Sequence, residues 1–166
     1  MHCLGDRIIY GSNGIMEIVD IREESIGDAR RKYYVLKDFR ENSSLQTFVP
    51  VDNERLVSTM RNLLTKAEVI ELISRIKSIP EAEWQTDNRR RTEKFRCIIE
   101  SGDAESIISV IKAIYLNGIK RRKEGKKNYL ADENVMKKAE RMLYEEFSAV
   151  LGIPENEVRD FIEKHI

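Results

Sequence analysis

Along residues 1–50 apolar positions come in short runs broken by glycine and polar turns, and from Asp52 onward their spacing lengthens to that of helices. Arg7–Tyr10 is a short apolar run, and Gly11-Ser12-Asn13-Gly14 is a turn signal. A strand is predicted over Ile15–Ile21, where Ile15, Glu17, Val19 and Ile21 fall on one side and Met16, Ile18 and Asp20 on the other, an imperfect period of two. Gly27-Asp28 reads as a hairpin tip before Lys32–Lys37, a stretch rich in strand-forming aromatic and branched residues. A second turn at Glu41–Ser44 leads into Leu45–Pro50. Four or five short strands pack best as a small, strongly curved sheet or SH3-like barrel, because closure removes exposed edges.

The helical part opens with a capping box, Thr65-Lys66-Ala67-Glu68, followed by a stripe of Val69, Leu72, Ile73 and Ile76. This predicts a helix from Lys66 to Ser78, stopped by Pro80. A second helix over Asn88–Ser101 has Asp87 as its N-cap, buries Phe95, Ile98 and Ile99, and ends at Gly102. Asp103 caps a third, nearly all-round apolar through Ile107, Ile108, Val110, Ile111, Ile114, Tyr115 and Leu116, and therefore expected at the centre of its domain. Asp132 is read as the cap of a fourth helix, with Val135, Met136, Ala139, Met142, Leu143, Phe147 and Val150 as its stripe and Gly152 as its stop. Pro154, placed at a first helical position, opens a last helix through Lys164 that turns Val158, Phe161 and Ile162 inward. The predicted fold class is α+β: a small SH3-like β-barrel over residues 1–54, then an all-helical domain of about five helices over 62–166.

Composition narrows the function classes. In 166 residues, 41% hydrophobic content is enough for real cores, and no apolar run approaches the length of a membrane helix, so a cytoplasmic location is expected. The formal net charge of zero hides segregation. Residues 1–60 carry −2, 61–74 carry 0, 75–128 carry +6 (14 basic against 8 acidic) and 129–166 carry −4, so the positive excess lies between Arg75 and Lys127. Cys3 and Cys97 have no CxxC or Cys/His spacing and the histidines, His2 and His165, stand near the two ends, so neither a metal site nor a Cys/His nucleophile is suggested. The two thiols are read as reduced and structural. No phosphate loop or serine-elbow motif is present, no cofactor is implied, and an enzyme is poorly supported.

The one tryptophan, Trp84, lies at the start of the basic region and is followed by Arg89-Arg90-Arg91; a second basic run is Lys120-Arg121-Arg122-Lys123, with Lys126 and Lys127 beyond it in a basic loop over Gly125–Leu130. An aromatic beside basic residues is a combination used on nucleic acid. Each feature also has a plainer reading. Trp84 suits a partly buried helix junction, and Lys120–Lys123 suits a solvated helix C-terminus. Arg89, Arg90 and Arg91 cannot share one helix face, so at least one is expected to be solvated or paired with Glu83 or Glu93.

Gly5-Asp6, Ile9-Tyr10, Gly14-Ile15, Tyr34-Val35-Leu36 and Val49-Pro50-Val51-Asp52, followed by Trp84, the arginine-rich stretch and Ser101-Gly102-Asp103, closely resemble the CarD/CdnL family of bacterial transcription regulators. The resemblance runs in order over nearly the whole chain. It implies an N-terminal Tudor-like domain, shared with transcription-repair coupling factors, that binds the RNA polymerase β subunit, and a helical domain that touches promoter DNA. It further implies that Trp84 wedges into the minor groove at the upstream edge of the transcription bubble and stabilises the open complex. Arg89, Arg90, Arg91, Lys120, Arg121, Arg122 and Lys123 are then the residues expected to hold phosphates.

For polymerase, the resemblance points to the exposed edge of the sheet, at Glu24, Ser25, Ile26, Thr47 and Phe48. Some relatives carry arginines where this chain has Glu24 and Phe48, so their ion pairs do not transfer; Ile26 and Phe48 offer apolar contact instead, and Phe48 suits the core equally. The 18 residues from Trp84 to Gly102 exceed the spacing in the best understood branch by about one helical turn, which bears on where the ring points. The alternative function is a polymerase- or protein-interaction module without direct DNA contact.

Overall fold

The computed structural model describes residues 2–26, 29–39 and 46–166, with backbone alone at Ile26 and Ala29. The chain forms two compact units, Met1–Leu63 and Leu64–Ile166, and the architecture is α+β.

The first unit is a five-stranded antiparallel sheet of order β4-β3-β2-β1-β5. Its strands are β1 (Arg7–Tyr10), β2 (Ile15–Ile26), β3 (Ala29–Asp38), β4 (Gln46–Pro50) and β5 (Met60–Asn62), with a short helix α1 (Glu54–Val57) before β5. The predicted tip at Gly27-Asp28, the turn at Glu41–Ser44 and Leu45 lie outside the described residues. The imperfect alternation of β2 has a physical cause: its register with β3 shifts between Ile18 and Asp20, and the extra residue of such a bulge changes which positions face inward. Ile8, Met16, Ile18, Tyr34, Leu36, Val49 and Met60 form the core. Strand β5, absent from the sequence reading, has only three residues, too few to display a period, yet it pairs with β1 from Ile8↔Asn62 to Tyr10↔Met60.

The second unit contains α2 (Lys66–Ser74), α3 (Asn88–Glu100), α4 (Ala104–Lys123), α5 (Leu130–Leu151) and α6 (Glu155–His165). The Thr65–Glu68 capping box closes in both directions, and Asp87 and Asp103 accept from the N–H groups of Arg90 and Ser106. Three expectations change. The predicted first helix is α-helical only to Ser74, and Ile76–Ser78 continues as a 3-10 turn. Asp132 does not cap α5; that helix starts earlier, at Leu130, and the Asp132 side chain is engaged elsewhere. Pro154 stands at the N-cap of α6 and Glu155 is its first helical residue.

Val69, Ile73, Phe95, Ile99, Ile107, Val110, Ile114, Ala139, Leu143, Phe147 and Val158 make one core. Helix α4 supplies much of it, but Tyr115 and Leu116 are 54% and 46% exposed, so its apolar surface is wider than its buried stripe. Cys3 and Cys97 are free and exposed and fill no core position, contrary to the structural role expected of them. Among the described residues, no helix is long and apolar enough to cross a membrane, and no cluster of three or more His, Cys, Asp or Glu could hold a metal ion.

Candidate nucleic-acid interface

The segment that carries Trp84, between Ile79 and Asp87, has no regular structure and is fastened along α4. The Ala82 N–H donates to the Ser109 carbonyl at 3.0 Å, and the Ser109 hydroxyl donates to the carbonyl of Pro80. The Lys112 ammonium donates to the carbonyls of Ile76 and Lys77, each at 3.1 Å, and to that of Ile79. One lysine thus engages three carbonyls around the 3-10 turn that follows α2. The indole of Trp84 is half-buried, its edge meeting Phe95 with ring centroids 6.0 Å apart.

Behind the indole lies Arg91, only 1% exposed. Its guanidinium sits 4.2 Å from the Trp84 ring centroid and 4.9 Å from that of Tyr129. Nε and Nη2 donate to the two carboxylate oxygens of Asp132, at 3.1 and 2.8 Å. Nη1 donates to the Gln85 carbonyl at 2.8 Å and Nη2 to Asn88 Oδ1 at 2.9 Å. This fork-on-fork pairing with aromatic stacking uses the planar geometry that arginine has and lysine lacks. Arg91, expected among the phosphate-binding residues, is therefore withdrawn from the surface: each helical residue turns about 100°, and the third of the run is the one directed inward. Its partner is Asp132, not Glu83 or Glu93. Glu83 instead pairs with Lys94, whose hydrogen bond holds the Glu83 carboxyl below its ordinary range.

Arg89 and Arg90 stay exposed on the first turn of α3. Arg89 borders a depression with Thr92, Glu93 and Arg96 in which Trp84 takes no part. By contrast, Lys120 and Asn117 border two depressions that flank Trp84. The smaller one also includes Arg121 and Tyr129. The Arg121 guanidinium stacks 3.8 Å from the Tyr129 centroid while its Nε donates to the Lys127 carbonyl at 2.8 Å. Arg122 and Lys123 are exposed at the end of α4. Glu124, in the same depression, is kept below the usual carboxylate range, chiefly by a hydrogen bond from Lys126 and then by its charge. Tyr129 lies outside the residues expected from the sequence, although an aromatic just after Lys126 and Lys127 repeats the pattern of Trp84 beside basic residues.

In the β unit, Phe48 is 41% exposed on edge strand β4 and is not a core residue. Tyr33 meets its ring edge-on, with centroids 6.2 Å apart, and Arg22 lies 5.3 Å from its centroid. Arg22 also pairs with Glu24 at 2.8 Å. Thr47 and Ser25 are exposed and Glu24 is half-exposed; the Ile26 side chain lies outside the described residues.

Residues 4–63 match the profile of the CarD-like/TRCF RID domain, and residues 68–163 match that of the CarD C-terminal domain. No curated protein matches the chain closely enough to count as a relative. With both units matched, in order and over most of its length, the chain belongs to the CarD family of transcription-associated, RNA polymerase-interacting regulators.

Proposed function

We propose that this chain holds RNA polymerase by its β subunit through the edge of the β unit and contacts promoter DNA through the surface around Trp84, so stabilising the open complex. The observation that carries the reading is the grouping of a half-exposed indole with Lys120, Arg121 and Tyr129 along one strip of the helical unit. A flat ring entering a base step offsets part of the few kcal/mol lost on unstacking, while cations beside it engage phosphates. Regulation then needs only a higher affinity for the open complex than for the closed one; a difference of about 1.4 kcal/mol shifts that balance about tenfold. Arg89, Arg90, Arg122 and Lys123 serve as outlying phosphate contacts. On the β unit, Phe48 with Thr47, Glu24, Ser25 and Ile26 is the proposed polymerase-binding edge, with an apolar ring in place of an ion pair.

The test is to bind the full chain to a polymerase β fragment and to measure open-complex lifetime with and without it. Binding together with a longer lifetime, weakened steeply by salt, supports the reading. Binding without a change in lifetime indicates an interaction module that works without DNA.

A further inference from the structure

We propose that Arg91 is a positioning residue for Trp84: its buried guanidinium, set by Asp132, fixes the orientation of the indole and makes no contact with DNA. The inference rests on the reading of Trp84 as a DNA-contacting residue and assigns what aims it. The guanidinium lies over both the indole and the Tyr129 ring, 4.2 and 4.9 Å from their centroids. It is also bonded to the carbonyl of Gln85, the residue next to Trp84. Both the ring and the backbone that carries it are therefore referred to one buried group.

That group has little freedom of its own. Both oxygens of a buried carboxylate hold Nε and Nη2, and Asn88 takes a further donor. A fork held in its plane this way defines where a stacked ring can lie. At the other end of the segment, Ser109 and Lys112 tie Pro80, Ala82 and Ile79 to α4. Trp84 is thereby suspended between two fixed points, and an insertion elsewhere before Gly102 does not by itself decide where the ring points. Geometric preparation of this kind lowers the ordering cost of binding.

Because Trp84 is the one tryptophan, its fluorescence reports on the ring without DNA. Replacing Arg91 alone strands a buried carboxylate and endangers folding, so the test uses the full chain as the double variant Arg91→Met with Asp132→Leu, an apolar exchange that buried ion pairs generally tolerate. Tyr129→Leu serves as a second, single variant. Expected, with far-UV circular dichroism unchanged, are a red-shifted emission, stronger acrylamide quenching, and an open-complex lifetime shortened to that of Trp84→Ala. Unchanged emission and quenching in both variants overturn the proposal, as does a full-length lifetime in a double variant whose emission has shifted. If Trp84→Ala itself leaves the lifetime unchanged, the DNA reading fails, while emission and quenching still decide whether Arg91 sets the ring.

Discussion

Arg91 and Asp132, 41 positions apart in sequence, share a two-point ion pair inside the helical unit, with Nε to Oδ1 at 3.1 Å and Nη2 to Oδ2 at 2.8 Å. The pair joins α3 to the first turn of α5 beneath the candidate interface. Asp132→Ala should cost about 3–5 kcal/mol, since it leaves a buried cation without its counter-ion. The remaining bonds to Gln85 and Asn88 place the loss toward the lower end. Urea unfolding checks this; a loss below about 1 kcal/mol, the scale of a surface pair, would contradict the buried geometry.

Trp84→Ala should leave the fold intact, with a stability loss of about 1–2 kcal/mol for a half-buried ring packed on Phe95 and Arg91. Circular dichroism and thermal unfolding measure it. Loss of the cooperative transition would return Trp84 to a purely structural role.

The basic residues should separate by position. Lys120→Gln, beside the indole, should weaken promoter binding and reduce the slope of log affinity against log salt by about one. Tyr129→Ala should weaken binding by removing the platform on which Arg121 rests. Titrations over a range of salt concentrations decide the matter, and an unchanged slope for Lys120→Gln would remove it from the interface.

The β edge makes a separate prediction. Phe48→Ala should weaken capture of a polymerase β fragment without unfolding the sheet, because the ring is exposed and the core lies on Val49 and its neighbours. A pull-down with folded mutant protein tests it, and undiminished capture would move the contact elsewhere.

Thr65→Ala should cost about 1 kcal/mol by removing the cap of α2. Glu68 closes the same box. Its carboxyl is held below the ordinary range first by the Thr65 backbone N–H and then by the Thr65 hydroxyl. Since the folded value lies below the unfolded one, this stabilisation is present above the unfolded pKa and is lost as pH falls through the folded pKa. Glu68→Gln should therefore flatten that acid limb in a pH series of unfolding measurements, and an unaltered limb would contradict the cap.

What could be read from sequence was what local periodicity and capping encode. The Thr65 box, the Asp87 and Asp103 caps and the stripe through Val135, Ala139, Leu143 and Phe147 depend on residues within a few positions of one another. Relations set by tertiary packing were not readable. Asp132 looked like a cap because an acidic residue before an apolar stripe usually is one; its partner lies on another helix. Helical rotation already keeps Arg89, Arg90 and Arg91 off one face, but only the packing decides that Arg91 is the one turned inward, leaves Arg89 in another depression and keeps Trp84 beside Lys120 and Arg121. Strand β5 carried too few residues to announce itself.

The most direct measurement is the lifetime of a polymerase–promoter open complex after competitor challenge, with the wild-type chain and with folded Trp84→Ala at saturating concentrations. The account predicts a longer lifetime with the wild-type chain and loss of most of that extension with the variant, while both bind polymerase equally. An equal extension by both proteins would contradict it.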